Sequence, residues 1–360
     1  MGGSALKTEL VKINNPSEQA DDIARAASII KNGGLVVIPT ETVYGLGGDG
    51  TNRDSARKIY EAKGRPSDNP LIIHISTPEQ AEKFAYTNQT YYKLAEAFMP
   101  GPLTVVLPKK DSVPSEVTGG LDTVAIRCPS HPTARAIISA AGVPIAAPSA
   151  NISGKPSPTS AEHVASDLDG KVDMIVDGGE CEIGLESTIV MVNGDGGLTL
   201  LRPGGITYDA LLCVCDNVSI SPTIEGVLKE NERPLSPGMK YKHYAPSAPL
   251  VLLCGDEKKI LEFLRHEQSE KKCLILCYDE EVGELLREGL IPIGRHDDVQ
   301  TQAKKLFSAL READKHSPDI IYAHLPQKDG LGLALYNRMI RAAAHTVKYI
   351  PSGMKGNNLI

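Results

Sequence analysis

The stretch of the chain that decides the fold reads GGLVVIPTETVYGLGGDG and covers residues 33–50. It follows a run with helical spacing of apolar residues, and its first two glycines are typical of a helix C-terminus. Residues 35–38 are an apolar run closed by proline, which predicts a buried strand. Thr40, Thr42 and Tyr44 place hydroxyls at the carboxyl end of that strand, where α/β domains usually bind ligands. A capped turn would carry the same hydroxyls, so the stretch predicts the fold class and leaves its chemistry open.

The end of this stretch, residues 45–50, matches the GxGxxG pattern of dinucleotide-binding loops. That pattern requires a strand directly before it and an acidic residue at the end of the next strand. Here the predicted strand ends six residues earlier, and Asp68 lies in a Pro-rich loop. We therefore interpret residues 45–50 as a Gly-rich turn, and the sequence contains no Walker A motif.

Short strands and helices continue to about residue 212. Apolar runs and periodicity predict strands at residues 71–75, 104–107, 124–127, 144–147, 174–176 and 187–192, and helices at 20–32, 53–62, 81–99, 132–141 and 160–168. The mixture predicts one α/β domain over residues 1–215.

The rest of the chain changes character twice. Residues 216–247 contain four prolines and few apolar residues, which predicts a semi-extended linker. From residue 248 a regular alternation begins, and it is typical of a small parallel sheet with crossover helices. Strands are expected at 249–254, 273–278, 290–293 and 319–323, and helices at 257–266, 280–288, 299–315 and 333–345, with a frayed tail after residue 349.

Composition limits the function classes. With 41% hydrophobic and 23% charged residues, the chain is typical of a folded globular protein. Only 4% of the residues are aromatic, which argues against stacking platforms for single-stranded nucleic acid. The net charge of −7 arises within residues 1–215, where 18 Lys and Arg face 25 Asp and Glu. A basic RNA-binding face is disfavoured, although a local basic cleft leaves RNA binding as the rival function.

Cysteine usage and apolar runs indicate the compartment. The longest apolar runs are far too short to span a bilayer, and the N-terminus has no apolar signal-peptide core. The seven cysteines are scattered without a CxxC pair, and the nine histidines show no zinc-site spacing. We expect a cytoplasmic protein with reduced thiols, no membrane partner and no metal held by protein ligands.

Polar residues at predicted strand ends and loops suggest a binding cleft. Lys63 and Arg65 lie two residues apart on a Pro/Gly loop and suit a polyphosphate, although a solvated loop explains them equally well. His74 alone would more often be a hydrogen-bonded core histidine than a ligand. No nucleophile–base pair is evident, so catalysis would act by positioning and charge neutralisation. The other strand-end candidates are Arg127, Ser149, Asn151, Ser153, Ser187, Thr188 and Arg202.

Taken together, these motifs resemble those of one family. The YrdC/Sua5 proteins carry, in this order, strings similar to PTETVYGLG, KGRPSDNPL, AIRCP, PSANISG, ESTIV and RPG. The linker string SPGMKYKHYAP and the α/β tail resemble the long Sua5 form. The resemblance implies a YrdC-like domain with a concave ligand cleft over residues 1–215. It also implies a linker, 216–247, that folds over the active site, and a Rossmann-like Sua5 domain over 248–360.

The resemblance implies threonylcarbamoyl-AMP synthase activity for tRNA t6A37 biosynthesis, from L-threonine, bicarbonate or CO2, and ATP. Lys63 and Arg65 would neutralise the leaving pyrophosphate, helped by Mg²⁺ held through the phosphates. Threonine would be bound by Thr42, His74, Arg127, Ala147 and Ser187. ATP would be bound by Lys63, Arg65, Asn69, Thr123, Ser149, Asn151, Ser157, Arg202, Tyr241 and His243.

The resemblance also bears on partners. The product would pass to the t6A transferase machinery, and direct tRNA binding would be weak at most. Carbamoyl transfer from carbamoyl phosphate, as in the YrdC-like part of hydrogenase maturation proteins, is a further alternative that would need additional domains.

Overall fold

A computed structural model describes residues 7–224, 226 and 243–352 of the chain. The described residues form two compact units. The first runs to Ser153 and resumes at Ser157, and the second comprises Gly154–Pro156 together with residues 243–352. Each unit has its own sheet. None of the helices in the described part of the chain is long and apolar enough to span a membrane.

The first unit is a mixed α/β structure built on an 11-stranded sheet. Its helices are α1 (Ala20–Lys31), α2 (Arg53–Lys63), α3 (Gln89–Phe98), α4 (Ser115–Thr118), α5 (Pro132–Ala141), α6 (Ala161–Leu168) and α7 (Tyr208–Leu212). Its strands are β1 (Glu9–Lys12), β2 (Val36–Ile38), β3 (Gly45–Asp49), β4 (Ile72–His74), β5 (Leu103–Pro108), β6 (Thr123–Arg127), β7 (Ile145–Ala146), β8 (Met174–Asp177), β9 (Thr188–Val192), β10 (Leu198–Arg202) and β11 (Val218–Ile220). Their order is β1-β8-β2-β3-β7-β4-β6-β5-β9-β10-β11.

Helix α1 shows how the apolar spacing produces this packing. Its residues Ile23, Ala26 and Ile30 are buried and join one apolar cluster with Ile137 and Ile138 of α5. Strands β2 and β8 contribute to the same cluster. Removing this apolar surface from water stabilises the unit and fixes where the loops that follow the strands begin.

The centre of the sheet positions the polar strand ends. Strands β4 and β6 are parallel, and their register sets His74 opposite Arg127. Strand β5 is antiparallel to β6, and Thr104 lies opposite Arg127 on its other side. Strand β9 runs parallel to β5 and begins at Thr188, directly after Ser187. Three segments far apart in sequence therefore deliver polar side chains to the surroundings of Arg127.

The prediction of a Gly-rich turn at residues 45–50 is wrong, because Gly45–Asp49 form β3, antiparallel to β2 and β7. A Cβ on Gly47 would lie 2.9 Å from the Val36 carbonyl oxygen and 2.8 Å from Cγ2 of Ile145. Only glycine fits so close an approach, and this packing outweighs the low strand propensity of glycine.

The single helix predicted at 81–99 is also wrong. A short 3-10 segment covers Pro78–Lys83, and α3 begins separately at Gln89. The Asn88 side chain accepts a hydrogen bond of 2.9 Å from the Tyr91 backbone N–H and so caps α3 at its N-terminus. The apolar spacing was continuous enough to conceal this break.

The second unit confirms the predicted parallel sheet with crossover helices. Its strands are β12 (Leu250–Gly255), β13 (Cys273–Cys277), β14 (Leu290–Pro292), β15 (Ile320–His324) and β16 (Val347–Ile350), in the order β14-β13-β15-β12-β16. Its helices are α8 (Glu257–Glu270), α9 (Val299–Lys315) and α10 (Gly332–Ala342).

Two local predictions in the second unit are wrong. Residues 280–288 do not form a helix, and only a 3-10 turn over Asp279–Glu281 lies there. Gly289, just after that segment, has a φ of 77°, and the chain turns sharply there before β14. A Cβ added at Gly289 would lie 2.6 Å from the Cys273 carbonyl oxygen, so the turn requires glycine. Strand β16 was not predicted at all, because alternate residues such as Tyr349 are exposed and the segment lacks a continuous apolar run.

Candidate active site

The five residues predicted to contact threonine are all nearly inaccessible to solvent. They are Thr42, His74, Arg127, Ala147 and Ser187, with exposed fractions between 0% and 4%. Register pairing joins His74 to Arg127, and the Ala147 backbone N–H donates a hydrogen bond of 2.9 Å to the Ile72 carbonyl oxygen on β4. The structure therefore gathers three of the five around β4.

Arg127 forms a buried ion pair that the sequence analysis did not predict. Its Nη2 donates to Oε1 of Glu41 at 2.6 Å, and both side chains are about 95% buried, with 5% and 4% exposed. The other carboxylate oxygen of Glu41 accepts a hydrogen bond of 3.2 Å from the Ser130 backbone N–H. Burial alone would raise the pKa of Glu41, but the Arg127 guanidinium holds this pKa below its usual range. The pair is therefore charged on both sides.

His74 is held in its neutral form. Burial and the nearby positive charge of Arg127 lower the pKa of His74 to about 3. Its Nδ1 lies 3.1 Å from the Ile72 carbonyl oxygen and 3.3 Å from that of Ile145. Because a carbonyl can only accept, Nδ1 carries the proton and Nε2 carries the lone pair. A neutral His74 can accept one hydrogen bond at Nε2 from a bound hydroxyl or amine.

Hydroxyl groups complete the surroundings in two pairs. Oγ1 of Thr42 lies 2.9 Å from Oγ1 of Thr40. Oγ of Ser187 lies 2.7 Å from Oγ1 of Thr104 and accepts a hydrogen bond of 3.1 Å from Nη2 of Arg202. Arg202, which is predicted to bind ATP, thus contacts Ser187, which is predicted to bind threonine. The predicted ATP-binding and threonine-binding residues are therefore in contact at this pair.

Lys63, the last residue of α2, is 1% exposed and its ammonium faces backbone carbonyls. It donates hydrogen bonds to the Ser149 oxygen and, at 2.5 Å, to the Asn151 oxygen. Oγ of Ser149 in turn donates to Oδ1 of Asn151 at 2.5 Å. Lys63 therefore fixes the loop at residues 149–151, a role that the sequence analysis did not predict.

The loop after α2 presents the remaining ATP candidates. Gly64 ends the helix with a φ of 61°, and half-buried Arg65 follows it in the loop. Nη2 of Arg65 donates to the carbonyl oxygens of Asn69, at 3.3 Å, and Pro70, at 3.0 Å. Asn69 is 1% exposed, and its side-chain Oδ1 is buried with no hydrogen-bond partner in the described part of the chain. Such a buried acceptor is costly unless a ligand supplies a donor.

The other candidates have the following surroundings. Oγ of Ser157 donates to Oε1 of Glu186 at 2.5 Å, and Thr123 is the half-buried first residue of β6. His243 belongs to the second unit, where its ring lies 5.5 Å from that of Tyr244. Tyr241 lies outside the described residues.

Comparisons with known proteins show the family of the chain. A family model for Sua5, YciO and YrdC, described as "Telomere recombination", matches residues 28–204. A second, described as "Threonylcarbamoyl-AMP synthase, C-terminal domain", matches residues 206–344. A Bacillus subtilis protein named threonylcarbamoyl-AMP synthase is 45% identical over 94% of this chain and 96% of its own length. A Schizosaccharomyces pombe protein of the same name is 35% identical over 91% and 90%.

A solved structure extends the likeness to three dimensions. The crystal structure of Sua5 from Pyrococcus abyssi complexed with L-threonine matches with a TM-score of 0.86 at 42% identity, covering 95% of this chain and 99% of that one. A doubly substituted form of the same protein matches with a TM-score of 0.88. With relatives this similar over nearly its whole length, the chain belongs to the Sua5/YrdC family, in the long form that carries the C-terminal Sua5 domain.

Proposed function

We propose that the protein is an L-threonylcarbamoyladenylate synthase, a nucleotidyltransferase that forms threonylcarbamoyl-AMP and pyrophosphate from L-threonine, bicarbonate or CO2, and ATP. The observation that carries the proposal is the buried Arg127 guanidinium beside a neutral His74, a donor next to an acceptor. Such a pair fits the carboxylate and the hydroxyl or amine of a small amino acid. The relatives that carry this name and the threonine complex of the Pyrococcus abyssi protein support it.

The reaction needs no protein nucleophile. The threonine amine adds to CO2 and loses a proton to give a carbamate. A carbamate oxygen attacks the α-phosphorus of ATP, the bond to the bridging oxygen breaks, and pyrophosphate leaves. The protein's task is to align the two substrates and to neutralise the charge that develops on the leaving group. This agrees with a site rich in donors and cations.

The threonine contacts are proposed as follows. The Arg127 guanidinium binds the carboxylate, and Nε2 of His74 accepts from the threonine hydroxyl or amine. The buried hydroxyls of Thr42 and Ser187 and the backbone at Ala147 enclose the side chain. The burial of all five residues supports this arrangement, because a water-free pocket strengthens each polar contact.

The ATP contacts are proposed from the loops around Lys63. Arg65, half-buried beside Asn69, neutralises the leaving phosphates. Lys63 supports the 149–151 loop and acts on the nucleotide through that loop. The unpartnered Oδ1 of Asn69 suits a donor such as an adenine amino group or a ribose hydroxyl. The remaining members of the proposed ATP set are Thr123, Ser149, Asn151, Ser157, Arg202, Tyr241 and His243.

The wider setting is also proposed. ATP enters as its Mg²⁺ complex, the metal being held by the phosphates, and the product passes to the t6A transferase machinery. The chain works in the cytoplasm, which its seven unpaired cysteines support. Residues 1–215 form the catalytic domain, the linker at 216–247 folds over the active site, and residues 248–360 form the Sua5 domain. A closed linker would protect the labile mixed anhydride from water.

Pyrophosphate release tests the proposal. The full-length protein is supplied with Mg-ATP, L-threonine and bicarbonate, and each component is omitted in turn. We expect release only when all three are present. Release that is independent of threonine, or no release at all, would contradict the proposed reaction.

A further inference from the structure

Glu41 links three segments of the first unit while its side chain is only 4% exposed. Its carboxylate accepts from Arg127 at 2.6 Å and from the Ser130 backbone N–H at 3.2 Å. Its own carbonyl oxygen accepts from the Ile183 backbone N–H at 2.8 Å. Because Glu41 immediately precedes Thr42, it connects the proposed threonine pocket to the guanidinium at its side.

The ion pair with Glu41 does not use every N–H group of the Arg127 guanidinium. Nε of Arg127 is buried and has no hydrogen-bond partner among the residues that the structure describes. A buried N–H without an acceptor is costly, and a buried ion pair often stabilises a fold no more than apolar residues of the same size. Packing alone therefore gives little reason for this arrangement, whereas an arriving carboxylate would satisfy the unpaired donor.

We infer that Glu41 is a positioning residue, which fixes the Arg127 guanidinium so that its remaining N–H groups face the carboxylate of the amino-acid substrate. The inference rests on the proposed function of Arg127. A guanidinium is a planar fork, and it binds a carboxylate through two bonds only when its plane is correctly oriented. An arginine fixed before binding loses less conformational entropy when the substrate arrives.

The charge of the pair points to the same role. Glu41 and Arg127 together are neutral, and threonine is a zwitterion without net charge. Substrate binding therefore introduces no net charge into the buried pocket. A net charge there would be unfavourable, because a medium of low polarity solvates it poorly. Without Glu41, the same guanidinium would be an unbalanced buried cation, and any small anion could bind to it.

A purely structural ion pair makes a different prediction. If Glu41 only joins the 39–44 segment to Arg127 and Ser130, its loss should weaken all ligands of the pocket alike. If Glu41 orients Arg127, a shift of its carboxylate that keeps the charge should affect only ligands that carry a carboxylate. L-Threoninol, which replaces the carboxylate of threonine with a hydroxymethyl group, distinguishes the two.

The test measures the dissociation constants of L-threonine and L-threoninol by calorimetry on full-length wild-type, Glu41→Asp and Glu162→Asp proteins. Aspartate keeps the charge of Glu41, so the cationic threoninol meets the same pocket charge, but its side chain is one methylene shorter. Glu162 is an exposed acid on α6 and serves as the matched control. In Glu41→Asp we expect threonine affinity to fall about tenfold, with threoninol affinity changed by less than about twofold. Parallel losses for both ligands, or no loss for threonine, would overturn the inference.

Two further arms keep the outcomes separate. If wild-type protein does not prefer threonine to threoninol, Arg127 does not bind the carboxylate, and the proposed function of the pocket fails together with the inference. If Glu41→Asp does not fold, as judged by circular dichroism, Glu41→Gln is used with the kinetic readout. It keeps the length of the side chain but loses the charge. In steady state, either variant should raise KM for threonine more than KM for ATP, and an equal rise in both would contradict the inference.

Discussion

The ammonium of Lys63 and the carbonyl oxygen of Asn151, which are 88 positions apart in the chain, lie 2.5 Å from each other inside the first unit. The contact joins the end of α2 to the loop that carries Ser149 and Asn151. The same ammonium donates to the Ser149 carbonyl oxygen. A lysine of the proposed ATP set therefore also holds in place the loop that carries Ser149 and Asn151, two other members of the set.

Lys63→Met should destabilise the protein and weaken ATP binding together. Two buried carbonyl oxygens lose their donor, and we expect the free energy of unfolding to fall by about 3 kcal/mol. KM for ATP should rise more than KM for threonine. Urea unfolding and steady-state kinetics measure these effects, with Lys31→Met on the exposed face of α1 as the control. Wild-type stability in Lys63→Met would show that the loop does not depend on this contact.

Arg65→Ala should lower kcat/KM by about a hundredfold while the fold survives, because a donor aimed at developing charge acts mainly in the transition state. Its side chain is half-buried and donates to the carbonyl oxygens of Asn69 and Pro70 in the neighbouring loop. Arg57→Ala, which removes a cation that is 59% exposed on the preceding helix α2, is the control. An unchanged kcat/KM would exclude Arg65 from the phosphate site.

His74 should make the protein less stable in acid. Its pKa is about 3 in the folded protein, below the ordinary value of 6.5, so the unfolded chain binds the proton more strongly. The stabilisation is complete above pH 6.5 and is lost as the pH falls below that value. Between pH 7 and pH 5, protonation of His74 in the unfolded chain should lower the free energy of unfolding by about 2 kcal/mol.

Replacement of His74 by asparagine checks this account, because asparagine offers an N–H near the position of Nδ1 and does not titrate. Urea unfolding at pH 7 and pH 5 should show a smaller loss of stability in His74→Asn than in the wild type. Equal losses in the two proteins would mean that His74 does not resist protonation.

Truncation after residue 235 tests the proposed linker. The first unit should remain folded by circular dichroism, with activity reduced. The Gly154–Pro156 loop would lose the hydrogen bonds it receives from Ala245, at 3.0 Å, and from Arg311, at 2.6 Å. Full activity in the truncated protein would show that neither the linker nor the tail contributes to the reaction.

Local patterns in the sequence predicted much of this fold. The helical spacing of Ile23, Ala26 and Ile30 specifies α1, and it is correct because burial of that face is what stabilises the helix. The same reasoning failed at Gly47, where close packing between neighbouring strands decides the structure. No local sequence pattern predicts how closely Gly47 approaches the backbone of Val36.

The candidate site shows the same limit. His74 was expected either as a hydrogen-bonded core residue or as a ligand, and its Nδ1 contacts with two carbonyls confirm the first description without excluding the second. Glu41 was missed because a glutamate between two threonines is typical of an exposed loop. Its partner Arg127 lies 86 positions away, and only the folded sheet brings the two together.

The identity of the nucleotide product tests the central claim most directly. The full-length protein is incubated with Mg-ATP, L-threonine and ¹³C-bicarbonate, and the nucleotides are separated and weighed by mass spectrometry. We predict threonylcarbamoyl-AMP that carries the ¹³C label. ADP as the only product, or AMP that forms equally well without threonine, would contradict the account, because the carbamate would then not be the group that attacks ATP.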